Sequence, residues 1–300
     1  MRKFGLLLLL CLVSLGGLAQ LPTSNIYVFD LNNDFENDSL FLSKPRFLTI
    51  YNQNGYNNHP HFLSEEELMI SSQTAFQDQP DLYHLDINSK VRTRVTDTPV
   101  GEYSPRRMPD YFNFSTVRME FVQNDTLLRL WQFPLDRSSN GKPVFKDVTD
   151  IGYYTWLNSR DIVLYRVQSP NKLVKTDVYG SEEEVIAQNV GRCFVPMGGG
   201  TMLYVQNEAN GQRTLMLYDS RAYFEDRKFR RVIETVNRGQ DFAVLSDGTV
   251  LMADDSSIYK FRIGADEEWQ KVTDLRAYNI KGISRIALSP SNGKIAVVSR

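Results

Sequence analysis

A pattern that returns every roughly 40 to 50 residues constrains this chain more than any other feature, because that period belongs to propellers and other repeat arrays. The clearest copy starts at Asn58-His59-Pro60-His61-Phe62, continues through Leu68-Met69-Ile70-Ser71-Ser72 and Asp81-Leu82-Tyr83-His84-Leu85-Asp86, and closes on Val95-Thr96-Asp97-Thr98-Pro99. Within it, apolar and polar residues alternate over short runs separated by turn residues, which is how four short antiparallel strands read. A lone four-stranded sheet has two apolar faces and buries neither. Stacking such sheets around an axis lets each one cover its neighbour.

The first strands of later units fall at Tyr103-Ser104-Pro105-Arg106-Arg107, Tyr153-Tyr154-Thr155-Trp156-Leu157, Arg192-Cys193-Phe194-Val195-Pro196, Phe242-Ala243-Val244-Leu245 and Ile286-Ala287-Leu288. Turns such as Ser246-Asp247-Gly248 and Ser289-Pro290-Ser291-Asn292-Gly293 follow them. Asp-Gly and Asn-Gly supply the positive backbone angles that tight hairpins need. The sixth unit ends after its second strand, Ile295-Ala296-Val297-Val298, which leaves an open edge. Residues 26–31 read as the missing third strand and residues 45–49 as the fourth. The expected fold is therefore all-β: a six-bladed propeller of four-stranded antiparallel blades, its ring closed by N-terminal strands that complete the last blade.

Residues 1–20 have the layout of a signal peptide: Arg2-Lys3, an apolar stretch over 6–15, and Gly17-Leu18-Ala19 before a cut near Ala19 or Gln20. Cys11 follows Leu10 rather than a small residue, which argues against lipid attachment there. Residues 21–300 then form one domain, exported to the periplasm or beyond, with no stable membrane span and a monomeric state. Only Cys193 remains after cleavage, so no intrachain disulfide forms. Hydrophobic residues make up 42% of the chain, enough for a large core, and a net charge of −2 gives no general attraction for nucleic acid. Beyond the leader the one helical turn expected lies around 181–184. The triplet Glu65-Glu66-Glu67 and the run Arg227-Lys228-Phe229-Arg230-Arg231 read as solvated charge.

Several of these residues carry a resemblance. Phe62 and its turn, Ser289-Pro290 with Gly293, Tyr83 with Leu85-Asp86, and the closing Val95-Thr96 are similar to the TolB-type, WD-like propeller repeat. Glu102-Tyr103-Ser104-Pro105, Pro109-Asp110, Leu130-Trp131 with Phe133-Pro134, Gly152-Tyr153 with Trp156, and Gly198-Gly199-Gly200 resemble a group of small secreted bacterial propellers that stand alone. The resemblance implies the fold and no reaction. The sequence departs from the repeat at Glu65-Glu66, in place of Asp-Gly, and at Tyr111, where Gly is usual.

Chemistry in a propeller gathers where the inner strands meet the central channel. Aligning the units places His59, His61, Tyr103, Arg106, Tyr153, Arg192, Asp241 and Arg285 there, a set suited to a carboxylate, a sugar or a peptide terminus. A water-filled polar channel explains the same residues. His59-Pro60-His61 would also put two imidazoles on one side of an extended strand, within reach of a shared metal. Completion would need Asp241 or Glu102, because His84 should point away from the axis. No cofactor motif is present, no Gly-x-Ser-x-Gly elbow occurs, and Cys193 sits among apolar residues. The sequence thus favours a non-catalytic exported binder of a protein or small ligand, with a channel-centred metal-dependent hydrolase or lyase using His59 and His61 as the alternative.

Overall fold

The computed structural model describes residues 21–34, 39–123 and 125–300, so the leader expected over 1–20 lies outside the described residues. Six antiparallel sheets follow one another around an axis. From the axis outward, blade 1 consists of Tyr56–Phe62, Glu67–Gln73, Asp81–Asp86 and Arg92–Arg94. The first two strands of the next blades are Gly101–Arg107 with Asn113–Val122, Ile151–Trp156 with Asp161–Arg166, Val190–Gly198 with Thr201–Asn207, and Phe242–Val244 with Thr249–Asp254. Blade 6 begins with Arg285–Leu288 and Lys294–Ser299.

Side-chain alternation explains why the second strands are apolar along most of their length. In blade 1, Leu68 and Ile70 pack toward blade 6 while Met69 packs toward blade 2. In blade 4, Tyr204 and Leu203 divide in the same way between blades 3 and 5. A strand buried on both faces reads as a continuous apolar run. The described residues accordingly hold six hydrophobic clusters, one at each junction between neighbouring blades.

The ring closes as the sequence implied. Strand Asn25–Asp34 lies antiparallel to Lys294–Ser299, with Asn25 opposite Ser299 and Asp30 opposite Lys294. The outer position of this blade is shared by two short pieces rather than filled by residues 45–49 alone: Ser39–Leu42 pairs with the far end of the closing strand, and Arg46–Phe47 with Tyr27 and Val28. Pro45 has no N–H to give to a ladder, which limits the second piece. A buried polar clamp holds the closure. Asn57, fully buried, donates from Nδ2 to the carbonyls of Ser24 and Asn52, both at 2.8 Å, and its Oδ1 accepts from Ser72 Oγ at 2.8 Å. Gly55 is required beside it, since a Cβ there would fall 2.2 Å from Asn52 Oδ1.

Two local expectations are corrected. Residues 181–183 are irregular and lead into the outer strand Glu184–Gln188, and the short α-helix lies at Glu225–Lys228 instead. Glu65 is not simply solvated: its Oε1 accepts from the backbone N–H of Ser291 at 2.7 Å, linking the hairpins of blades 1 and 6.

Candidate functional site

The register of each blade fixes which side chains share a level in the channel. His61, Arg106, Thr155, Val195, Ala243 and Ala287 each stand opposite the third residue of their blade's second strand, namely Met69, Ser115, Val163, Leu203, Leu251 and Ala296. They form one ring, polar in blades 1 to 3 and apolar in blades 4 to 6. Five of them, all but Thr155, line a cavity of about 280 Å³ on the axis.

Two residues further from the hairpins, Tyr103, Tyr153 and Arg285 stand opposite the fifth residues of their second strands, Val117, Tyr165 and Val298. At this level the side chains engage one another. Arg192 donates from Nε to Asp241 Oδ2 at 2.8 Å and from its terminal nitrogen to the Ser284 carbonyl at 2.6 Å. Arg285 lies 3.5 Å from Asp241 Oδ1, donates to Tyr153 Oη at 3.1 Å, and stacks its guanidinium 5.1 Å from that ring's centre. Blades 3 and 6 face each other in a six-membered ring, so the Arg285–Tyr153 bond crosses the axis. His59 packs edge-on between Tyr103 and Tyr153, with ring centres at 6.1 and 6.2 Å. The channel is plugged here, and the cavity extends from the plug toward the hairpin end of the inner strands, past Val244 and Leu288.

Bulges in blades 1 and 2 set the plug's members from those blades, His59 and Tyr103, and the inner strands of blades 3 and 4 also shift register, between Ile151 and Tyr153 and between Val190 and Phe194. Pairing slips between Asn58 and His61 and between Tyr103 and Arg106. His59 and Ser104, each followed by a proline, take left-handed φ values of 54° and 55°. Proline cannot extend the ladder, and the extra residue re-aims its neighbours. The regular pleat that would set His59 and His61 side by side is therefore interrupted: His59 belongs to the plug and His61 to the ring below, although both touch the cavity.

Seven of the eight residues singled out from the sequence, His59, His61, Arg106, Tyr153, Arg192, Asp241 and Arg285, line this cavity. Tyr103 lies beside it, packed between blades 2 and 3. Burial, reinforced by Arg285, Arg192 and Arg106, holds the His59 imidazole neutral well below its usual range. Burial with Arg106 and Arg107 pushes His61 down to about 3. Three arginines, one aspartate and two neutral histidines leave the site cationic. Arg192 and Arg285 share Asp241, whereas the Arg106 guanidinium has no hydrogen-bond or ion-pair partner among the described residues.

The groups weighed as metal or nucleophilic centres are engaged elsewhere. Glu102 is fully buried between blades 1 and 2, accepting from Thr96 Oγ1 at 2.9 Å and Thr98 Oγ1 at 2.6 Å, with Arg118 Nε 3.2 Å away. Burial outweighs these donors and raises its carboxyl to about 7. His84 sits 3.2 Å from Glu67, outside the channel. Among the described residues no three His, Cys, Asp or Glu side chains come together as a metal set. The Cys193 thiol is raised to about 12, chiefly by burial, and donates to the Phe242 carbonyl at 3.3 Å. Such a thiol is a poor nucleophile. Thr155, Val195, Ala243 and Ala287 escaped the sequence reading because their types are bland. Counting back from each hairpin would have found them.

The fold and the site together define a six-bladed, four-strand-per-blade propeller with a blind central cavity. Neither a protein family nor a curated protein matches the sequence. Solved structures do. The putative TolB from Agrobacterium tumefaciens superposes with a TM-score of 0.63 at 10% identity, covering 92% of this chain and 98% of that one. TolB from Acinetobacter baumannii gives 0.54 at 9% identity over 92% of this chain and 64% of its own. An oligogalacturonate lyase in complex with manganese gives 0.52 at 10% identity, with 92% and 97% covered. At such identities the likeness establishes a TolB-type propeller fold and no activity.

Proposed function

We propose that this chain is an exported, non-catalytic propeller that binds a small molecule or a protein segment at its channel face, gripping an anionic group there. Arg106 carries this reading: a guanidinium without a partner among the described residues, facing a cavity whose other arginines share a single carboxylate. Guanidinium groups favour planar, bidentate pairing with carboxylates. The test is calorimetric titration of residues 21–300 with a panel of carboxylates, against Arg106→Gln. Binding that weakens at least tenfold in the variant supports the reading, whereas anions that bind both proteins equally, or neither, would sink it. The export step is tested separately, by N-terminal sequencing of the secreted chain for a start near residue 20 or 21.

A second reading, a metal-dependent hydrolase or lyase using His59 and His61, is favoured by one observation. His59 and His61 line the same cavity. Against it stands the absence of a third ligand among the described residues. Stoichiometric transition metal after purification, with a melting temperature that drops in chelator, would put this reading first.

A further inference from the structure

We infer that the ligand of the channel is an apolar carboxylate, a molecule with one carboxylate on a short hydrocarbon arm, which enters from the hairpin side and stops against the plug. This rests on the channel-binding reading above and narrows it. The ring of His61, Arg106, Val195, Ala243 and Ala287 is divided by position: its charged and hydrogen-bonding members come from blades 1 and 2, and its hydrocarbon members from blades 4, 5 and 6. Blade 1 faces blade 4 and blade 2 faces blade 5, so at the level of Arg106 the side chains across the cavity form an apolar wall, while the polar members of blades 4 to 6, Arg192, Asp241 and Arg285, stand at the plug.

Two alanines on that wall are what leave the room. A sugar acid presents hydroxyls on every side, and the side chains of Val195, Ala243 and Ala287 offer those hydroxyls no partner at this level, the cavity's other polar side chains being tied to one another at the plug. An alkyl arm loses nothing there and buries apolar surface. The cavity, about 280 Å³, has room for a small ligand. The carboxylate receives the free Arg106 guanidinium and the N–H of His61. The far end is closed by Arg285 and Tyr153 bonded across the axis, so the arm folds along the wall rather than threading through.

Hexanoate and N-acetyl-leucine are the probes, with hexanamide and N-acetyl-leucinamide as neutral controls and tartrate and glucuronate as polar carboxylates, titrated calorimetrically into residues 21–300. The expected result is binding of an apolar carboxylate at least tenfold tighter than of its amide and of the polar acids, abolished by Arg106→Gln. Val195→Thr, which keeps volume while adding a hydroxyl, should weaken the apolar acids several-fold and leave acetate unchanged. A preference for N-acetyl-leucine assigns the carboxylate to a peptide terminus, and a preference for hexanoate to an acyl chain. Polar acids that bind as well as apolar ones, still through Arg106, overturn this inference and leave the channel-binding reading standing. No binding by any carboxylate overturns both.

Discussion

His61 and Glu102 lie on adjacent blades and respond to pH in opposite senses. The His61 imidazole is neutral in the fold, with its pKa depressed to about 3 from an ordinary 6.5. The unfolded chain therefore takes up the extra proton, and this residue's contribution is complete above about pH 6.5 and is lost as pH falls toward 3. Glu102 is raised to about 7 from 4.5, so its protonated form suits the fold. That contribution is complete below about pH 4.5 and is lost as pH rises through 7. Two predictions follow from these signs. The His61 resonances should not titrate between pH 5 and 8 in NMR spectra, and a midpoint inside that range would contradict the burial argument. Glu102→Gln should lose less stability than the parent between pH 5 and 8 in urea unfolding, with identical pH dependence as the refuting result.

At the scale of elements, the clamp around Asn57 joins the segment before the closing strand to the first strand of blade 1. Asn57→Ala leaves several buried groups without partners at about 1–3 kcal/mol each, so a loss of about 3 kcal/mol or more is expected in urea denaturation. A change below about 1 kcal/mol would mean that closure depends on the strand pairing alone. The strands themselves were legible in the sequence because burial on both faces writes continuous apolar runs and hairpins write Gly, Asn and Asp. The separation of His59 in the plug from His61 in the ring below was not. It depends on bulges at His59 and Ser104, where a left-handed residue before proline breaks the alternation on which strand reading relies. The outer strand of blade 6 was misjudged for a related reason: edge pieces of two to four residues carry too little pattern to be seen.

For the whole molecule, closure is non-local: residues near position 28 pair with residues near position 296. Removing residues 21–45 strips blade 6 of its third strand and exposes the edge of Lys294–Ser299. The shortened chain should melt without a single sharp transition and should associate on size-exclusion chromatography, because unpaired edges recruit other strands. A monomeric, cooperatively melting product would show that five blades and a fragment suffice. The plug carries a different kind of consequence. A tube lets cargo pass, but a cup has one door, so whatever settles beside Arg106 must leave past the hairpins it met on arrival. Any partner resting across that rim becomes a lid, and the occupant's residence time is then set by the lid's departure and no longer by its own contacts.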